Sequence, residues 1–415
     1  MAGTEGGAKP RLAVVVGSGS ASVREVLRYG ADIAEPVLVF DAADSGDVSL
    51  SGLRAMLEDE VECVGYGTDD PAGLLELHGR APLSAITTFA EDKIRLTAEI
   101  AALLSLPYHS PEVAHTLTDK AAQRAALARA GLGIGFGAAE DAAEAVELVR
   151  QLGVECVVKP RTGAGSRHTY AVRPQDADSL YDLPAELFPA VVEARLETGR
   201  HPRSELLADV VSVETVFSGG RPRHLGVSGR FRLAEPFRET GMVFPSQLPE
   251  PLLAEVFDVA TRALAGVGVT TGATHTELKL TPDGPRVVEI NGRLGGDVGR
   301  LTELSTGTNA VELVLRAVCG LSVEAPLPTA VAGVAMLVPP VEATRLDSRV
   351  PARELRAVDG VVAVDVHTRP GDRVDYRTGW WAHVACVWYR AEDWPALGAA
   401  HTAALDLAGR AIEWG

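Results

Sequence analysis

The chain has 415 residues and a formal net charge of −17, with 56 acidic side chains against 39 basic ones. That balance argues against a nucleic-acid-binding surface, which needs a basic stripe. With 46% hydrophobic residues, 42 Gly and 25 Pro, it describes a globular, loop-rich protein of two to four domains.

No apolar run is long enough to cross a membrane; VAGVAMLVPPV near residue 331 is short and ends in prolines. The first residues, MAGTEGGAKPRLAVVV, carry no apolar h-region, so a cytoplasmic location is expected. The cysteines at 63, 156, 319 and 386 form no CxxC pair and read as buried thiols in a reducing compartment. Only five of the basic residues are lysines (9, 93, 120, 159 and 279), so each is singled out for a possible role.

RLAVVVGSGSASVREVLRYG reads as a buried strand, a Gly/Ser turn and a helix. VLVFD, VECVGYG and SAITTF follow at helix-length intervals, which predicts a parallel α/β sheet over 11–115 within a first domain at 1–115. GSGSAS lacks the full GxGxxG and reads as a turn lining a substrate pocket. Thr118 or Asp119 is placed to cap an Ala-rich helix. VECVVKPRTGAGSRHTYAV then gives a strand ending in Lys159, a Gly-rich loop and another strand. PAVVEARL is a strand leading into the Arg-rich ETGRHPRSE, and a hairpin turning at Ser218–Gly220 comes next. A helix around 250–266 precedes THTELKLTPDGPRVVEINGR, and TGTNAVELVLRAVCG is again helical. Short strands and turns from 326 onward predict a small C-terminal α+β domain at 326–415.

The segment THTELKLTPDGPRVVEINGR alternates polar and apolar residues around a Pro-Asp-Gly-Pro turn, the pattern of a β-hairpin. Centring the turn on Asp283 sets Glu277 opposite Glu289, with His275, Lys279, Asn291 and Val287 on the same face. Like charges directly opposite on a sheet are destabilising, so something positive is expected between them. Two carboxylates and an amide oxygen (Glu277, Glu289, Asn291) make an all-oxygen set that suits Mg²⁺ or Mn²⁺ rather than zinc. Mg²⁺ bound in this way usually shares substrate phosphates, which implies a nucleotide. Lys120, Lys159 and the RTGAGS loop are the phosphate-binding candidates.

Lys120, VVKPRTGAGS, VVEARL, SVETV and HTELKL…VVEINGRLGGD occur in an order and spacing that resembles the ATP-grasp carboxylate–amine ligases, and within them the L-amino-acid (dipeptide) ligase group. The resemblance covers about residues 11–415. It implies an α/β ATP-grasp fold: a Rossmann-like N-terminal domain, an ATP-binding centre with a small lobe at 116–192 and a large lobe at 193–325, and the C-terminal domain. It implies ATP and two Mg²⁺ ions (or Mn²⁺) as cofactors. Glu277 and Glu289 would hold metal and Asn291 would complete the second site. Lys120 and Lys159 would contact phosphates under a loop containing Gly163, Gly165 and Ser166. Glu193, Ala194 and Leu196 would belong to the adenine-binding hinge. Arg293 would bind the substrate carboxylate and, with backbone N–H groups of Gly295 and Gly296, stabilise the reaction's oxyanion.

Two departures from the family pattern bear on substrate. A longer segment ending in ADVVSVE replaces a short Gly-Glu-Tyr-Ser-Val-Glu-like run, leaving Glu214 as the candidate ribose ligand. Met242 stands where relatives often carry a histidine, which leaves Glu239 as the candidate for a substrate ammonium. The remaining polar residues have structural readings. Asp297 would cap the following helix, His275 would be a packed strand residue, Lys279 would offset charge, and Trp380 and Trp381 would pack a core or interface.

The expected partners are a small carboxylate and an amine, with no nucleic acid and no membrane, and with a homodimer as the family's common state. The function implied is ATP-dependent joining of an amino acid or related acid to an amine in natural-product synthesis. The alternatives are an ATP-grasp enzyme of the purine-synthesis or carboxylase type, and a nucleotide-binding protein without catalysis.

Overall fold

The computed structural model describes residues 8–415. Four parallel strands, Arg11–Val15, Glu35–Asp41, Glu62–Tyr66 and Ala85–Thr88, form the N-terminal sheet in the spatial order third, second, first, fourth. Both of its faces are buried, as a parallel sheet requires. Ala13, Val15, Val37 and Ile86 pack on Leu74, Ile100 and Leu104 on one side. Leu12, Val14 and Leu38 meet Leu301, Val311 and Leu315 on the other. Those last three lie on the helices Val298–Thr306 and Ala310–Val318, so the N-terminal unit is seated against the helices that follow the acidic hairpin. In the GSGSAS turn, Gly19 is pressed on Phe89, where a Cβ would collide with the carbonyl oxygen.

The small lobe is a four-stranded antiparallel sheet of Phe136–Ala139, Cys156–Pro160, Tyr170–Val172 and Ala190–Ala194, covered by the helix Ala142–Leu152. Asp119, not Thr118, caps the helix Lys120–Arg129, accepting from the Ala122 N–H at 3.0 Å. The same carboxylate accepts from Arg161 at 2.7 Å, which ties the start of the Gly-rich loop to the helix start.

The large lobe is an eight-stranded sheet, and here the expected domain boundary at 326 changes meaning. Strand Val331–Leu337 pairs with Gly241–Phe244, and Ala385–Ala391 and Val361–Val366 follow it outward. The C-terminal residues therefore extend the sheet of the large lobe rather than form a sheet of their own. Unbroken apolar stretches such as VAGVAML, buried at every position, have to be covered on both faces.

The hairpin Ala273–Thr281/Gly284–Asn291 forms the opposite edge of this sheet. Its turn is tighter than expected: Thr281 pairs with Gly284, leaving only Pro282 and Asp283 between the strands. In that register Glu277 would face Val288. A β-bulge at Val288 absorbs one residue, and from there Glu277 pairs with Glu289 and His275 with Asn291. The expected pairing of the two glutamates is present, but Lys279 faces Arg286, and Val287 turns into the apolar core beside Ile290.

Candidate active site

A cavity of about 1150 Å³ opens between the two lobes. As many basic as acidic side chains line it, although acids outnumber bases in the whole chain, so positive charge is concentrated there. Three of the five lysines, Lys120, Lys159 and Lys279, are on its wall.

The helix Lys120–Arg129 organises one side. Lys120 Nζ donates to the Gly163 carbonyl at 2.5 Å and lies 3.1 Å from Glu289, so one ammonium joins the Gly-rich loop to the hairpin. The Gln123 amide pairs with the backbone N–H and C=O of Ile290, both at 2.8 Å, and so satisfies part of the sheet's exposed edge. Arg124 donates to the carbonyls of Val287 (2.9 Å) and Val288 (2.6 Å), at the bulge. Its other donors grip Glu193.

Glu193 also lies 3.3 Å from Lys159. Burial pushes its carboxyl up, but the charges and hydrogen bonds of Lys159 and Arg124 outweigh this and hold it at about 2. Its side chain is thus committed to the protein. Leu196 is different: among the described residues, neither its N–H nor its C=O enters a hydrogen bond. Ala194 and Leu196 line the cavity beside Ile134, Val157 and Phe188, giving an apolar slot with free backbone polar groups at its edge.

The Gly-rich loop sits over the cavity. Gly163 and Gly165 have φ of +101° and +74°, which side chains disfavour, and Ser166 follows at +57°. The loop is held down by the C-terminal turn Tyr376–Ala382. The Trp380 N–H donates to the Gly165 carbonyl at 3.1 Å, and a Cβ on Gly379 would collide with that oxygen. Trp381 lines the cavity, and the Trp380 ring covers Gly296. Trp380 packs as expected, at an interface with the Gly-rich loop, whereas Trp381 is 58% exposed and faces the cavity instead of a core.

On the hairpin, Glu277 and Glu289 both reach the cavity. The positive charge anticipated between them comes from both sides: Lys120 at Glu289, and His275 and Arg230 at Glu277 (3.3 and 3.8 Å). Burial raises the Glu277 carboxyl, but the hydrogen bond and charge of His275, with Arg230 and Arg293, bring it to about 2. His275 is more than a packed strand residue. Its Nδ1–H donates to Glu214 at 2.5 Å, and although burial alone would lower its pKa, Glu214 and Glu277 raise it to about 9. Its Nε2 lies 3.3 Å from both Glu277 Oε1 and Arg230 Nη2, so the ring links Glu214 to the hairpin carboxylate and its supporting arginine.

This geometry corrects the reading of Glu214. The residue is fully buried behind the cavity, one oxygen on His275 and the other accepting from the Gly295 N–H at 3.0 Å. It does not reach a ribose, and the Gly295 N–H does not point at substrate. Asn291 and Arg293 lie just beneath the cavity wall. Arg293 donates to Asn291 Oδ1 at 3.1 Å and pairs with Glu91 at 3.0 Å, a partner from the N-terminal domain that the sequence did not signal. Asp297 occupies the cap position of its helix with φ +58° and makes no cap bond; burial pushes its carboxyl up to about 7.

Arg230 was not singled out from the sequence. It is almost fully buried on strand Arg221–Phe231, donating to Glu239 at 3.1 Å beside Glu277. Its only signal was its place in GRFRLAEPFRET, where common arginines hid it.

No protein-family model matches the chain. The structure of the L-amino acid ligase from Bacillus licheniformis superposes with a TM-score of 0.75 at 19% identity, covering 99% of this chain and 100% of that one. N5-carboxyaminoimidazole ribonucleotide synthetase from Thermus thermophilus superposes with a TM-score of 0.67 at 18% identity, over 96% and 98%. The chain has the ATP-grasp fold. Among curated proteins, the uncharacterized protein y4rH of Sinorhizobium fredii is 30% identical over 225 residues, 52% of this chain and 44% of its own. Human carnosine synthase 1 is 31% identical over 198 residues, 44% of this chain and 23% of its own. The chain spans less than half the length of these two relatives. No helix among the described residues is long and apolar enough to cross a membrane. Within the ATP-grasp fold, the cavity lies between the lobes, with the two facing glutamates on one wall and the Gly-rich loop opposite.

Proposed function

We propose that the protein is an ATP-dependent carboxylate–amine ligase that activates an amino acid or related small acid and joins it to an amine, in natural-product synthesis. The observation that carries this reading is the pairing of Glu277 with Glu289 on a cavity wall where Lys120 and Arg230 flank them. Two carboxylates brought together at the cost of repulsion, with cations at their outer edges, fit a divalent-cation and phosphate site. Glu277, Glu289 and Asn291 would hold Mg²⁺, which when bound neutralises charge on the transferring phosphoryl group.

The chain's own residues account for the rest. Leu196 offers free backbone groups to the adenine edge, and Lys120 and Lys159 hold phosphates beneath Gly163, Gly165 and Ser166. A substrate carboxylate oxygen attacks the γ-phosphorus, and the bond to ADP breaks. The amine then attacks the acyl carbon, phosphate leaves, and the ammonium's protons pass to solvent. Glu239, held by Arg230, binds the ammonium before attack. Arg293 carries the substrate carboxylate, where Glu91 now partners it. The closed loop excludes water that would hydrolyse the acyl phosphate.

The test is ADP and phosphate release with Mg-ATP across pairs of amino acids. Release that requires an acid and an amine together, and is lost in Glu289→Ala, is expected. Release stimulated by bicarbonate alone, or ATP binding without any turnover, would overturn the assignment.

A further inference from the structure

Behind the turn that holds the Gly-rich loop lies a cluster the proposed reaction does not use. His367, His383 and Cys386 bring their ring nitrogens and thiol sulfur within 4.8 Å of one another. His367 follows strand Val361–Val366 and its N–H donates to the Val384 carbonyl at 2.9 Å. His383 ends the turn Tyr376–Ala382, and Cys386 lies on the neighbouring strand Ala385–Ala391. The three residues fall within twenty positions of one another, His383 only three before Cys386, and the pairing of the last two strands brings His367 alongside.

We propose that His367, His383 and Cys386 form a zinc-class divalent metal site that braces the turn carrying Gly379, Trp380 and Trp381. Two imidazoles and a thiolate suit Zn²⁺, which takes three protein ligands and a water in tetrahedral geometry. The ligand set differs from the all-oxygen hairpin site, so the two sites select different cations. His383 is prepared for the role. Its Nδ1–H donates to the Trp380 carbonyl at 2.6 Å, which fixes the ring and leaves Nε2 as the ligating nitrogen. Nε2 has no hydrogen-bond partner among the described residues, and the two rings meet edge-on with centroids 5.0 Å apart. Tetrahedral zinc holds its ligand atoms roughly 3.3–3.7 Å apart. Of the three ligands His367 is the exposed one, so its ring has the freedom to turn toward the other two. Asp365, paired directly across from Cys386, is held by Arg300 at 2.6 Å and by the Trp388 N–H at 2.8 Å, so it stays outside the ligand set. On binding, the thiol gives its proton to solvent; in the metal-free protein, burial favours the protonated form.

The consequence is mechanical. The hydrogen bond from His383 to Trp380 connects the metal to the turn, and Trp380 in turn bonds Gly165. A filled site fixes the base of that clasp.

The full-length protein, stripped with EDTA and dialysed, is titrated with Co²⁺. One equivalent giving a sulfur-to-cobalt charge-transfer band, bleached by Zn²⁺ and untouched by excess Mg²⁺, is expected. Cys386→Ser abolishes the band. His367→Ala, a change at an exposed side chain whose fold is checked by its thermal melt, weakens cobalt binding at least tenfold. If Cys386→Ser does not fold, the His367→Ala result decides alone. Absence of the band in folded wild-type protein, unchanged affinity in His367→Ala, or a band that persists in Cys386→Ser would overturn the proposal.

Discussion

Arg124 grips Glu193 through two parallel hydrogen bonds, Nε to Oε1 at 2.8 Å and Nη2 to Oε2 at 2.9 Å, both side chains buried. The same guanidinium holds the bulge of the acidic hairpin, so one residue couples the hinge strand of the small lobe to the wall of the large one. Removing one partner of such a pair leaves an uncompensated buried charge. Glu193→Ala is therefore expected to destabilise the protein by about 3–5 kcal/mol in urea denaturation. A loss under about 1 kcal/mol would mean that solvent reaches the pair.

The pair also sets a pH dependence. The Glu193 carboxyl is held at about 2, below its ordinary value of 4.5. A depressed folded-state value contributes stability that is present above 4.5 and is lost as pH falls from there toward 2. The shift corresponds to about 3 kcal/mol. Wild-type urea midpoints should fall between about pH 5 and pH 3 more steeply than those of Glu193→Gln. Parallel curves would show that other carboxylates dominate acid unfolding.

Lys159 offers a contrast with its partner. Lys159→Met leaves Glu193 on Arg124, so the fold is expected to survive. Mg-ATP should bind about 10–100-fold more weakly, the loss of one charged hydrogen bond to phosphate. Calorimetric titration measures this directly, and undiminished affinity would remove Lys159 from the phosphate site.

Gly379 has φ +66°, and its position leaves no room for a side chain against Gly165. Gly379→Ala should open the Gly-rich loop without touching a ligand. Expected outcomes are faster proteolytic cleavage within residues 161–167 and more phosphate released per amide formed, because water enters. An unchanged product ratio would mean that the loop closes without the turn.

Much of the candidate site was legible because it rests on short-range rules. Alternation fixed the carboxylate face of the hairpin, and Asp119 before an Ala-rich run announced the helix that presents Lys120. The facing of Glu277 and Glu289 was anticipated through a turn centred one half-step off, and the bulge at Val288 restored it. A bulge has no signature in VVEIN; it is stabilised by Arg124, more than 160 residues away.

The sequence by itself determined the order of elements, the parallel N-terminal sheet, the oxygen-rich hairpin and the resemblance to ATP-grasp ligases, because periodicity and local motif chemistry are properties of neighbouring residues. Tertiary structure alone decided that Glu214 serves His275 rather than a ribose, that Arg230 supports Glu277, and that the C-terminal strands complete the large-lobe sheet. It also decided that Trp380 clasps Gly165. The physical reason is the same in each case. A buried charge or an unpaired strand edge must find its partner in space, and sequence distance carries no information about which residue that is.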